Sequence, residues 1–267
     1  MLKLNGQELT FHTFPNGETL VDGEQILAAA GEKQVVEFKY ATDGDLIQLM
    51  FLKRYLDERR LAATLIIYYM PYSRMDRVEG ASAFTLKYTT EFINALGFER
   101  VQVIEPHSDV TTALLDRAEA SYPSLELLED VIARTGFDRE HDVLFFPDAG
   151  AQKRYSRLHG YRELVGFKVR DFQTGTIQRL DVIGEAPETG FKAIIVDDLC
   201  SYGGTFLLSA EKLKELGAAE IYLLVAHCET SIHKGKLLDS GLIDKVFTTN
   251  TILDEPGHDL IHIYPIR

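Results

Sequence analysis

Two adjacent acids, Asp197 and Asp198, end an apolar run, and Gly203, Gly204 and Thr205 begin five residues later in the stretch IIVDDLCSYGGT (194–205). An apolar run closed by carboxylates predicts a buried strand whose end opens on a site. A glycine loop running from it into a helix offers backbone N–H groups and the positive end of a helix dipole, the surroundings that hold an anion. The loop from Ser201 and Tyr202 through Gly203, Gly204 and Thr205 is therefore expected to cradle a phosphate. The paired acids would repel that phosphate, so they suit sugar hydroxyls or a magnesium ion that bridges to the substrate. Thr205 is placed to cap the following helix and Gly217 to close it.

These residues need a scaffold, and the chain alternates short apolar runs with amphipathic stretches. That pattern predicts βαβ units around a mostly parallel sheet. The clearest buried strands are expected at 63–70, 100–106, 142–147, 192–198 and 220–227, and helices at 46–60, 85–97 and 205–217. Two segments repeat at an offset of 120 residues: LGFERVQVIEPH ends at His107 and LGAAEIYLLVAH ends at His227. The repeat predicts two similar α/β halves whose strand-end loops face one cleft. The halves are expected at 1–137 and 138–254, with 255–267 able to rejoin the first.

The 267 residues are 45% hydrophobic and 26% charged, a composition that can bury a sizeable core. A formal net charge of −13 argues against a nucleic-acid partner, which would require clustered Lys and Arg. The N-terminal MLKLNGQELTFHTF lacks the basic flank and apolar core of a signal peptide, and no run approaches a membrane span, so a cytoplasmic protein without a membrane partner is expected. Cys200 and Cys228 have no C-x-x-C spacing and suggest neither a disulfide framework nor a zinc site.

VDDLCSYGGT resembles the phosphoribosyl pyrophosphate loop shared by type I phosphoribosyltransferases and ribose-phosphate diphosphokinases. Further stretches resemble the diphosphokinases alone. FPNGET (14–19) is similar to the segment whose phenylalanine stacks on an adenine held by a neighbouring subunit, which implies ATP contacts for Phe14, Asn16 and Glu18. YYMPYSRMDR (68–77) resembles the Tyr-x-Arg-x-Asp-Arg stretch that binds ATP, through Arg74, Asp76 and Arg77. EPHSDVTTALLD (105–116) puts His107 at the histidine near the metal and the transferred diphosphate. FFPDAGAQKRYSRL (145–158) puts Asp148 at an acid of the metal and ATP site. VGFKVRDFQTGT (165–176) looks like the Lys-x-Arg at the root of a catalytic loop, and Lys168 and Arg170, two apart on a strand, would point the same way. The region 226–252 is similar to the segment after the loop.

The resemblance implies an α/β fold of two similar phosphoribosyltransferase-like domains, each a mostly parallel sheet flanked by helices. It implies a Mg²⁺-dependent diphosphate transfer from ATP to the anomeric hydroxyl of ribose 5-phosphate. Lys168, Arg170 and His107 would be catalytic, and His107 and Asp148 would lie at the metal. A shared adenine site would require at least a homodimer. Three departures stand out. Ser201 and Tyr202 replace the Asp and Thr usual in the family's loop, the chain is shorter than usual, and it stops at IHIYPIR where the family continues into a helix. The altered loop leaves open a ribose whose 5-phosphate is itself substituted, such as ADP-ribose in NAD synthesis. A non-catalytic regulatory subunit and a salvage phosphoribosyltransferase are the remaining alternatives; Lys168, Arg170, His107 and both loop acids speak against the first, and 68–77 against the second.

Overall fold

A computed structural model describes residues 1–170 and 177–266, with the side chains of 168–170 and 177–179 outside the description. The chain divides into two compact units, Met1–Ser121 and Tyr122–Arg267. The first unit runs β1 (Leu2–Leu4), β2 (Gln7–Leu9), β3 (His12–Thr13), β4 (Thr19–Leu20), α1 (Gly23–Ala29), β5 (Gln34–Phe38), α2 (Asp43–Glu58), β6 (Ala63–Ile67), α3 (Thr85–Leu96), β7 (Arg100–Ile104), α4 (Asp109–Leu114) and β8 (Ala118–Ser121). Its main sheet has the order β2-β1-β5-β6-β7-β8, with β5 to β8 parallel and β1 and β2 antiparallel at one edge.

The second unit runs α5 (Pro123–Thr135), β9 (Val143–Phe146), α6 (Ala149–Arg154), β10 (Arg162–Arg170), β11 (Ile177–Ile183), β12 (Lys192–Cys200), α7 (Gly204–Glu215), β13 (Glu220–Cys228), β14 (Lys245–Thr249) and β15 (Ile261–Tyr264). Its sheet order is β11-β10-β9-β12-β13-β14-β15, parallel except for β11.

The two sheets bury their strands differently, and the side chains say why. In β9, β12 and β13 alternate residues enter two separate cores. Phe145, Ile195 and Leu223 join Phe206, Ala210 and Leu213 of α7, whereas Phe146, Ile194 and Leu224 join Leu128 and Val131 of α5 and Tyr155 after α6. A strand covered on both faces needs apolar residues throughout, hence the unbroken runs. In the first unit β6 alternates buried and half-buried residues, and Val36, Leu65, Ile67, Val101 and Val103 share one core with α1, α2 and α3. The runs at 63–70 and 100–106 are thus one-faced strands, shorter than expected.

Helix α2 shows the local logic. Leu49, Leu52, Lys53 and Leu56 follow helical spacing onto the core, and Asp45 caps the start by accepting from the Thr42 N–H at 2.8 Å. Truncating a leucine of this kind to alanine costs about 2–5 kcal/mol.

The predicted repeat is present: β7 begins at Arg100 and β13 at Glu220, each after a helix followed by a left-handed glycine, Gly97 and Gly217. The unit boundary falls after Ser121 and not at 137, because α5 packs on β13. Residues 255–267 stay with the second unit because β15 pairs with β14. Cys200 and Cys228 are buried free thiols on adjacent strands, and among the described residues no helix is long and apolar enough to cross a membrane.

Candidate functional site

β12 emerges from the centre of the second sheet carrying Asp197 and Asp198 near its end. The chain then turns through Ser201 and Tyr202 into α7, whose first residue is Gly204. The N-cap is Gly203, at φ +81, and not the expected Thr205, which lies inside the first turn and accepts a hydrogen bond from the Ser209 hydroxyl at 2.8 Å. Glycine is required at 203, because left-handed backbone strains an L side chain and an added Cβ would lie 2.8 Å from the Leu237 side chain. Being glycine, the N-cap residue offers no capping side chain at this end of α7. Its first-turn N–H groups, which have no acceptor within the helix, are therefore available to an anion.

Arg154, the last residue of α6, lies against the acid pair. Its Nη1 donates to Asp198 at 2.8 Å and to Asp197 at 3.2 Å, and the Asp198 backbone N–H also donates to the Asp197 carboxylate at 2.9 Å. The three side chains are only 11%, 16% and 4% exposed for Arg154, Asp197 and Asp198. Burial, together with Asp198 alongside, pushes the Asp197 carboxyl well above its ordinary range, and Arg154 pulls it back. Neither composition nor motif spacing pointed to Arg154. Its partners are 43 and 44 residues away, and only the parallel pairing of β9 with β12 brings them together.

The far side of the loop is walled by the residues after β13. The Ser201 and Ser231 hydroxyls are 3.1 Å apart, and Ser231 donates to the Glu229 carboxylate at 3.0 Å. Gly235 sits so close that an added Cβ would fall 1.9 Å from the Tyr202 carbonyl oxygen. The Tyr202 backbone is thus held while its ring stays 59% exposed.

Asp148, on the same short helix as Arg154, is the N-cap of α6 and accepts from the Ala151 N–H at 3.0 Å. Lys168 and Arg170 lie on β10, opposite Leu180 and Ile177 of β11. The pairing register shifts between Val169 and Arg170. Their side chains lie outside the described residues, as does the loop 171–176.

The first unit carries the remaining predicted residues. FPNGET forms the turn of the β3–β4 hairpin. Asn16 donates to the Glu18 carboxylate at 2.9 Å, and Phe14 is 42% exposed with its ring edge-on to His12. Arg74 and Arg77 are exposed on the loop after β6, and Arg77 pairs with Glu79 at 2.7 Å. Asp76 accepts from the Ser108 hydroxyl at 2.7 Å, which ties this loop to the one bearing half-buried His107. His227, the counterpart of His107 in the repeat, is buried against the Thr251 hydroxyl at 2.8 Å and is structural. His107 and Asp148 belong to different units. Among the described residues no three or more His, Cys, Asp or Glu side chains gather to enclose a metal ion. Asp148 is a single carboxylate, and magnesium carried mainly by substrate phosphates takes only one or two from a protein.

Known proteins similar to this chain bear on its fold and relatives. Residues 167–260 match a family model described as a phosphoribosyl synthetase-associated domain. A ribose-phosphate pyrophosphokinase from Marinomonas sp. (strain MWYL1) is 30% identical over 205 residues, covering 73% of this chain and 63% of that protein. The enzyme of the same name from Sulfurisphaera tokodaii is 29% identical over 256 residues, covering 91% and 84%. The chain thus spans 63–84% of the length of these two relatives. The crystal structure of phosphoribosylpyrophosphate synthetase from Mycobacterium smegmatis matches with a TM-score of 0.77 at 20% identity, over 97% of this chain and 86% of that one, so the α/β fold is shared.

Proposed function

We propose, from its similarity to ribose-phosphate pyrophosphokinases, that the chain transfers the diphosphate of ATP to the anomeric hydroxyl of a ribose 5-phosphate group. The hydroxyl oxygen attacks the β-phosphorus in line and loses its proton. The bond between the β-phosphorus and the oxygen bridging to the α-phosphate breaks, and AMP leaves with that oxygen. The observation that carries this reading is the buried acid pair of β12 beside a loop that opens on the uncapped start of α7. Asp197 and Asp198 would accept from the ribose hydroxyls while the N–H groups at 203–205 receive the 5-phosphate.

Little covalent work falls to the protein, which must align the substrates and offset charge that builds on the transferred group. Lys168 and Arg170 are assigned that second task. Arg74, Arg77 and His107 are assigned to the triphosphate, with Asp76 holding their loops together. Magnesium supplies charge neutralisation on the diphosphate when bound. Asp148 is the carboxylate suited to hold it, and His107 is the second group placed there by resemblance. The exposed Phe14 supports a hairpin that reaches the adenine of a neighbouring subunit, hence a homo-oligomer acting on small molecules.

A second reading keeps the chemistry and changes the acceptor. Tyr202 points an exposed ring out of the loop where the family carries a small hydroxyl residue, which favours a substituted 5-phosphate such as that of ADP-ribose. Incubation with Mg-ATP and either ribose 5-phosphate or ADP-ribose tests both readings, with AMP and the diphosphorylated product followed by chromatography. AMP release with one acceptor identifies it; no release with either refutes the assignment.

A further inference from the structure

The hydroxyls beside the loop form a chain whose direction is fixed by proton count. Glu229, as a carboxylate, only accepts, so the single proton of Ser231 is committed to it at 3.0 Å. Ser231 has no second proton to give, so across the 3.1 Å contact with Ser201 it must be the acceptor and Ser201 the donor. The Ser201 proton is then spent inside the protein. Toward a ligand its oxygen offers lone pairs alone.

We propose that the Ser201 hydroxyl, oriented by Ser231 and Glu229, is specificity-determining: it accepts a hydrogen bond from a hydroxyl of the acceptor substrate and has no proton of its own for the phosphate. A fully ionised phosphate oxygen is itself an acceptor, so at this position it meets lone pairs, with the Glu229 charge two hydroxyls behind them. The anion is thereby confined to the α7 end of the loop, at the N–H groups beyond Gly203. The Asp197 side is reserved for a polyol. The loop thus grades from hydroxyl recognition at 201 to anion recognition at 204–205, which revises the expectation that all of 201–205 serves the phosphate. The inference rests on the proposed ribose-phosphate site and adds the polarity of its first residue.

The test compares equilibrium binding of ribose 5-phosphate, ADP-ribose and inorganic phosphate to the full chain and to Ser201→Ala, Ser231→Ala and Glu229→Gln, by titration calorimetry. Loss of one neutral hydrogen bond should weaken the ribose ligand that binds by roughly 2- to 12-fold in Ser201→Ala and leave inorganic phosphate within about 2-fold. Ser201→Ala is the decisive variant. In Glu229→Gln the amide can turn its NH2 to Ser231, reverse the chain and free the Ser201 proton. Tighter binding of inorganic phosphate and weaker binding of the ribose ligand in that variant, with Ser201 intact, would support the polarity further. Thermal unfolding checks that each variant folds, and the isosteric Glu229→Gln stands in if Ser231→Ala does not. Phosphate binding that falls in Ser201→Ala as much as ribose binding, or ribose binding unchanged in Ser201→Ala, overturns the polarity argument. Wild-type protein that binds neither ribose ligand overturns the site itself, an outcome separate from insensitive variants.

Discussion

Replacing Arg154 by methionine keeps most of the side-chain stem but removes the charge that lies against Asp197 and Asp198. With Arg154 at 11% exposure and the acids at 16% and 4%, the cluster is largely shielded from water. Breaking a buried pair by deleting one partner costs about 3–5 kcal/mol, because the remaining charge is left uncompensated. At 2–4 °C per kcal/mol for a unit of this size, the midpoint of thermal unfolding should fall by roughly 6–20 °C near neutral pH. The pH dependence follows from the direction of the Asp197 shift. A carboxyl whose folded pKa is raised holds a proton where the unfolded chain has released it. Native stability therefore falls as pH rises from the ordinary value of 3.8 through the folded one. Arg154 opposes the shift, so deleting it extends that window upward, and the penalty grows with pH. Circular dichroism melts of wild type and Arg154→Met at about pH 5 and about pH 8 read this directly. A loss as large at the acid pH would locate the cost in packing alone, and a loss under about 2 °C at the higher pH would mean the charges are solvated, refuting the account.

Four other outcomes are expected. Gly235→Ala must move the Tyr202 carbonyl or itself, at a cost of about 1–3 kcal/mol, and should raise KM for the acceptor with KM for ATP unchanged; steady-state kinetics with each substrate varied decides. Asp148→Asn keeps an N-cap acceptor for Ala151 but loses the carboxylate, so melting should be preserved while Mg-dependent AMP release drops at least about 10-fold, whereas Asp148→Ala also loses about 0.5–2 kcal/mol of cap. Lys168→Ala should keep substrate binding within a few-fold and lower kcat by about 100-fold or more, the scale of one removed transition-state donor; full turnover would sink the catalytic-loop assignment. Tyr202→Ala removes an exposed ring, so stability should hold within about 0.5 kcal/mol, while KM for ADP-ribose rises roughly 2- to 12-fold and KM for ribose 5-phosphate does not. Equal effects on both acceptors would show that the ring does not contact an extension.

The second unit was more legible than the first because its strands are covered twice. Ile194 and Ile195 enter different cores, so both had to be apolar, and an unbroken run ending in acids is hard to read as anything but a central strand opening on a site. In the first unit the equivalent runs continue past the sheet. Tyr68 follows β6 and donates to Glu37 of β5 at 2.6 Å, so apolar composition alone overstated the length of the strand. The cap at α7 was misplaced for a related reason. Thr205 has the right chemistry for an N-cap, but Gly203 takes the left-handed backbone two residues earlier because Leu237 occupies the space a side chain would need.

The candidate site was legible in residues that lie together on one element and hidden in those brought together across elements. Asp197, Asp198 and the glycine loop lie consecutively on β12 and its exit, so spacing revealed them. Arg154 and Glu229 are charges whose partners are chosen by strand order. β9 and β13 flank β12, which brings the end of α6 onto the acids and the exit of β13 onto Ser201. A loop read in isolation therefore has the right residues with an undetermined polarity. Ser201 alone could donate or accept, and only the carboxylate reached through Ser231 decides which. By the same reasoning the two altered positions of the loop differ in kind. Ser201 is committed by its neighbours to one hydrogen-bonding role, whereas Tyr202 is fixed only through its backbone against Gly235 and keeps a free ring. Substrate preference should therefore be tunable at 202 with the fold intact, while changes at 201 carry the state of Glu229 with them.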